Sequence, residues 1–149
     1  MNAHKPFTPN REFPMQSDTQ TKTVSQAMTW TGRVISAICV LFLLFDGVIK
    51  VMKLPIVLKA CVELGIPTGA IQGIGIVLVA STLLYAIPVT SVLGAILLTG
   101  YLGGAVSTHV RTGGPAFNVA FATIFGMLVW LGLFLQDARL HTLLPLRTA

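Results

Sequence analysis

From Leu64 to Thr108 the chain carries no Asp, Glu, Lys or Arg, and Thr112 to Gln136 is a second charge-free run. A domain that folds in water keeps about 25% of its residues charged. Here 10% are charged and 54% are hydrophobic. A helical membrane span takes about 20 mostly apolar residues, so the first run holds two spans and the second holds one. The apolar stretch Val34 to Phe45 supplies another. The sequence therefore predicts an all-α protein: an antiparallel four-helix transmembrane bundle with a short interfacial segment between spans one and two.

The spans are expected at about 28–52, 67–87, 89–109 and 116–135, within a membrane domain of residues 28–136. Residues 1–27 are polar, with Pro6, Pro9 and Pro14, and bury too little apolar surface to offset the entropy of ordering, so they read as a flexible tail. They lack the basic start and apolar core of a cleaved signal peptide, so span one is expected to direct insertion itself. Residues 137–149 read as a short C-terminal tail. Pro55 ends the first helix, because proline disfavours helical geometry in the residue before it. Pro55 to Gly65 is too short to span, and its apolar residues alternate with Lys59 and Glu63. A helix lying on the membrane surface and a plain loop both fit that pattern. Pro67 opens span two, Pro88 separates it closely from span three, and Pro115 suits the first turn of span four.

The net charge of +5 does not point to nucleic acid. The basic residues sit in the tails and connections, and no basic helix with interleaved aromatics is present. Lys and Arg at span ends are the ordinary membrane pattern. Four spans put both termini on one side, with Lys5, Arg11, Lys22, Arg33, Arg139 and Arg147. The other side has Lys50, Lys53, Lys59 and Arg111, so the count favours cytoplasmic termini. Cys39 and Cys61 form neither a CxxC nor a metal-ligand spacing.

Span three, SVLGAILLTGYLGGAVSTHVR, concentrates both glycine and polarity. In lipid, small residues let a neighbouring helix approach closely, so Gly94, Gly100, Gly103 and Gly104 read as packing positions. Gly69 and Gly73 of span two, four residues apart, read the same way. In an antiparallel bundle the end of span one, the start of span two, the end of span three and the start of span four share one leaflet. That gathers Asp46, Lys50, Gln72, Tyr101, Thr108, His109, Arg111 and Asn118. Ionisable groups at membrane depth are costly and often mark a ligand or proton path. Asp46 and Lys50, four apart, share a helix face and can pair; Tyr101 and Thr108, seven apart, share another. The plainer readings are that Lys50 and Arg111 anchor helix ends, that Asp46 pairs to fix packing, and that His109 is a hydrogen-bonded structural residue. No catalytic motif, phosphate loop, haem-attachment sequence or metal-ligand set is present in the sequence.

The segments FLLFDGVIKV, GIPTGAIQGIGIVLVASTLLYAIP and GAILLTGYLGGAVSTHVRTGGP resemble the DoxX-like family of small membrane proteins, over about Gly32 to Leu135. The resemblance implies a four-helix bundle in a bacterial cytoplasmic membrane. Some relatives are subunits of membrane redox complexes, such as the small subunit of thiosulfate:quinone oxidoreductase, and distant eukaryotic relatives act in receptor assembly. It implies positions of interest at Asp46 with Gly47 and at His109. Relatives often carry Glu in the first half of span two where this chain has Gln72, which leaves a hydrogen-bonding site in place of a proton-relay site. Two functions follow. One is an accessory subunit of a redox complex, with no cofactor of its own and a quinone or small sulfur compound met through the partner complex. The other is a non-catalytic binding or assembly protein, alone or as a homo-oligomer, for which leucine at Gly100 and Gly104 should harm folding more than loss of His109.

Overall fold

A computed structural model describes residues 26–137 and Leu140. The N-terminal tail expected over residues 1–27 lies, up to residue 25, outside the described residues, as does nearly all of the C-terminal tail. Five helices follow in order: α1 Gln26–Val51, α2 Pro55–Glu63, α3 Thr68–Ala86, α4 Ser91–Arg111 and α5 Ala116–Gln136. Among the described residues there is no strand. Helices satisfy every backbone group internally, which hydrocarbon requires, and α1, α3, α4 and α5 are each long and apolar enough to cross a membrane. The short connector is a helix rather than a loop, with Pro55 at its first turn. Gly65 and Gly113 take left-handed φ values of 73° and 65° just past the ends of α2 and α4. There the backbone closes the helix ends through Ile66 N–H to Cys61 carbonyl, 2.9 Å, and Gly114 N–H to His109 carbonyl, 3.0 Å; glycine reaches this geometry without steric cost.

Helix α1 packs on α3 and α5, and α4 packs on the same two, so the four long helices close into an antiparallel ring. Its centre holds Cys39, Leu43, Leu78, Ala95, Leu98 and Val129, all buried. The outside is also apolar: Leu41, Phe45, Val77, Ile96 and Met127 are exposed, as a lipid-facing surface demands.

Close helix contact is made by Gly94, as expected of span three, and by glycines outside the expected set. A Cβ on Gly75 would lie 2.9 Å from the Val51 amide nitrogen, one on Gly47 2.7 Å from Val79 Cγ2, and one on Gly32 2.9 Å from the Gly132 carbonyl oxygen. Gly94 is tightest, lying directly against the backbone of Leu84 and Tyr85. By contrast, a Cβ on Gly69, Gly73, Gly100, Gly103 or Gly104 would meet no atom within 4 Å. The expectation that these five pack helices is corrected for contacts within the chain. Spacing shows which residues share a helix face, but not whether that face turns inward.

At the end nearest the termini, a polar chain crosses the bundle. Gln136 Nε2 donates to Ser36 Oγ at 2.8 Å, Ser36 Oγ meets Tyr85 Oη at 2.8 Å, and Tyr85 O–H donates to the Val129 carbonyl at 2.9 Å. It links α1, α3 and α5. Tyr85→Phe removes the middle of the chain: the Val129 carbonyl loses its side-chain donor and Ser36 keeps only Gln136, so it should cost about 1 kcal/mol in unfolding assays. Unchanged stability would mean that lipid or water re-satisfies those groups.

Candidate functional site

At the opposite end of the bundle the helices surround a partly open cavity of about 760 Å³. Its walls come from the last turns of α1, the inner side of α2, the first turns of α3, the second half of α4 and the first turns of α5. Helical spacing explains the lining. Phe42, Asp46 and Lys50 follow at intervals of four along α1, and Asn118, Phe121 and Phe125 at intervals of three and four along α5, each set on one face.

Six of the eight residues singled out in the sequence line this cavity: Asp46, Lys50, Tyr101, Thr108, His109 and Asn118. The other two do not, and for these the gathering expected from the sequence is corrected. Gln72 follows Ile71, which is fully buried, and the 100° step of an α-helix turns it outward, where it is exposed. Arg111 is the last residue of α4 and is exposed beyond the cavity, as an anchor at a helix end would be.

Lys50 Nζ and a carboxylate oxygen of Asp46 form the ion pair their spacing allows. Both side chains are withdrawn from the surroundings, Lys50 to 14% exposure and Asp46 to 29%, so each charge depends on the other for compensation. The Thr108 hydroxyl donates to its own helix, at 2.9 Å from the Gly104 carbonyl. Tyr101, Asn118 and His109 differ. Among the described residues, the Tyr101 hydroxyl and Asn118 amide have no hydrogen-bond partner, and His109 Nδ1 is buried without one. Three polar side chains with unmet hydrogen-bonding capacity thus surround one mostly apolar space.

A second groove, of about 870 Å³ between α4 and α5, makes a useful contrast. It has no ionisable lining residue, and its polar side chains are satisfied. Trp130 Nε1 donates to Thr99 Oγ1 at 2.8 Å, Thr99 to the Ala95 carbonyl at 2.8 Å, and Thr123 to the Val119 carbonyl at 2.8 Å. That groove offers shape and apolar contact without recognition chemistry.

The sequence reading missed two parts of the site. One is α2, whose Val57 and Cys61, followed by Leu64, line the cavity while Lys59 and Glu63 are exposed. The alternation of apolar residues with Lys59 and Glu63 carried that signal, read only as a membrane-surface pattern. Burial pushes the Cys61 thiol above its ordinary pKa, with the Lys50 cation opposing and the Asp46 carboxylate reinforcing, so it is a poor nucleophile at neutral pH. The other is the aromatic wall of Phe42, Phe121 and Phe125, with ring centroids 4.6–5.3 Å apart. Among the described residues no group of three or more His, Cys, Asp or Glu could hold a metal ion.

No curated protein and no solved structure matches the chain. The sequence model of the DoxX-like family matches residues 34–132, which takes in most of the four long helices and the whole polar end of the cavity. By that match, a membrane-type bundle with this cavity at one end belongs to the DoxX-like family.

Proposed function

We propose that the cavity binds a small amphiphilic molecule of the quinone class, and that the chain serves as an accessory subunit of a membrane redox complex whose electron carrier sits on another chain. The observation that carries this reading is the set of unpartnered Tyr101, His109 and Asn118 groups around an apolar space. Quinone carbonyl oxygens accept hydrogen bonds, which the Tyr101 hydroxyl and the Asn118 amide can donate, and a ring with an apolar chain suits the rest of the lining. Ligand sites of about 300–1,000 Å³ with an apolar lining and a few convergent polar groups are the usual form for small molecules. The redox role draws on family relatives that are subunits of such complexes. On this reading the protein sits in a bacterial cytoplasmic membrane with both termini cytoplasmic, which the family resemblance and the Lys and Arg count support, and the cavity then lies in the outer leaflet.

Saturable binding of a decyl-substituted benzoquinone to the full chain in lipid nanodiscs tests the reading. Tyr101→Phe and Asn118→Leu should each weaken binding about tenfold, the value of one hydrogen bond of about 1.4 kcal/mol. Identical, non-saturating partition into wild type and both variants would contradict it.

A second reading, an assembly factor for another membrane protein, is favoured by Gly69, Gly73 and Gly103. These are exposed and untouched within the chain, so a partner helix could approach them closely. A small non-catalytic ligand, a lipid included, fits this reading as well.

A further inference from the structure

The cavity has three kinds of wall. At its end lies α2, with Val57 and Cys61 lining the cavity, followed by Leu64, and with the charged Lys59 and Glu63 exposed. Between α1 and α5 the wall is aromatic, built from Phe42, Phe121 and Phe125. Between α3 and α4 the structure changes along the seam. Beside their short connection these helices meet backbone to backbone at Gly94. Two to three turns further along α4, Gly100 and Gly104 line the cavity, yet both are exposed to the outside. A Cβ on either would meet no atom within 4 Å. At these two positions no side chain stands between the cavity and its surroundings.

Those surroundings are hydrocarbon. Gly104 precedes Arg111, the last residue of α4, by seven positions, which at 1.5 Å per residue is about 10 Å along the helix. The exposed side chains around this part of α4 are Ile96, Leu97, Thr99, Ser107 and Val110, none of them charged. A molecule dissolved in the bilayer meets an opening at the two glycines.

We propose that Gly100 and Gly104 form a lateral mouth, through which the ligand enters from the bilayer between α3 and α4. This rests on the ligand-binding reading above and adds the route and the ligand's source. The occupant is an amphiphile already dissolved in the membrane. Its polar head reaches Tyr101, His109 and Asn118, its ring lies toward the phenylalanine wall, and its apolar chain trails out over the glycines into lipid. The glycines are then needed for access rather than for helix packing.

The test uses the full chain in phosphatidylcholine vesicles and a benzoquinone with a photoreactive group on the ring, made with and without an isoprenoid chain. The chain-bearing probe should label the wild type and Gly73→Leu equally, since Gly73 is exposed, untouched within the chain and away from the cavity. Gly100→Leu and Gly104→Leu should keep the wild-type melting temperature within a few degrees and lose labelling tenfold or more. Full labelling of folded leucine variants would overturn the mouth. So would equal labelling by the chainless probe that ignores the leucines, since that ligand enters from water; in both cases the binding reading survives. Unfolding of the leucine variants would contradict the open space on which the proposal stands. A wild type labelled by neither probe would remove the binding reading and the mouth with it.

Discussion

Gly94→Ala is expected to destabilise the bundle, although the same substitution at most helical positions stabilises. Replacing glycine by alanine inside a helix gains about 1 kcal/mol from backbone entropy. At Gly94 the new methyl runs into the backbone of Leu84 and Tyr85, and backbone cannot rotate away as a side chain can. Overpacking of this kind costs about 3 kcal/mol, so the clash wins and the net loss is about 2 kcal/mol. Gly94→Leu should yield no folded protein. Gly104→Ala is the internal control: with no atom within 4 Å of the added carbon, only the propensity gain remains. Unfolding in graded detergent denaturant should therefore move in opposite directions for the two variants. A parallel response would show that the α3–α4 contact at Gly94 yields more easily than the geometry implies.

The second large effect concerns Asp46 and Lys50. Removing one member of a fully buried ion pair costs about 3–5 kcal/mol, because the other charge is left uncompensated. This pair is partly exposed, so Asp46→Asn and Lys50→Met should each cost about 2 kcal/mol. The double variant, which leaves no stranded charge, should lose no more than either single variant, about 2 kcal/mol, so the cycle gives a coupling of about 2 kcal/mol. Additive losses would mean that Lys50 reaches the membrane surface and serves as an anchor, the plainer role its place at the end of α1 allows.

The membrane class and the four long helices were legible in the sequence because they depend on composition over long windows, which no tertiary contact overrides. The ion pair was legible from its spacing of four, and so was the gathering of Tyr101, Thr108, His109 and Asn118, since antiparallel topology fixes which helix ends meet. Rotation about the helix axis was not legible. Gln72 reads as part of the inward cluster, and Gly69, Gly73, Gly100, Gly103 and Gly104 as helix contacts, but in lipid both faces of a helix are apolar, so hydrophobic periodicity gives no direction. Span two shows the difficulty: its two faces are nearly equal in hydrophobicity, and the buried set of Ile71, Gly75, Leu78 and Thr82 looks much like the exposed one. The Ser36–Tyr85–Gln136 chain was missed for a related reason. Its members are 49 and 100 residues apart in pairs, and no local pattern joins them. The alternation around Lys59 and Glu63 marked α2 as two-faced, but that its apolar face meets the cavity depends on tertiary contact.

Native mass spectrometry of the full chain, gently extracted from its own membrane, tests the central claim most directly. The account predicts a bound mass of the quinone class and a co-purifying redox subunit, with the quinone-class mass lost in a Tyr101→Phe, Asn118→Leu double variant. A lone bundle or homo-oligomer carrying only phospholipid, unchanged in that variant, would contradict it.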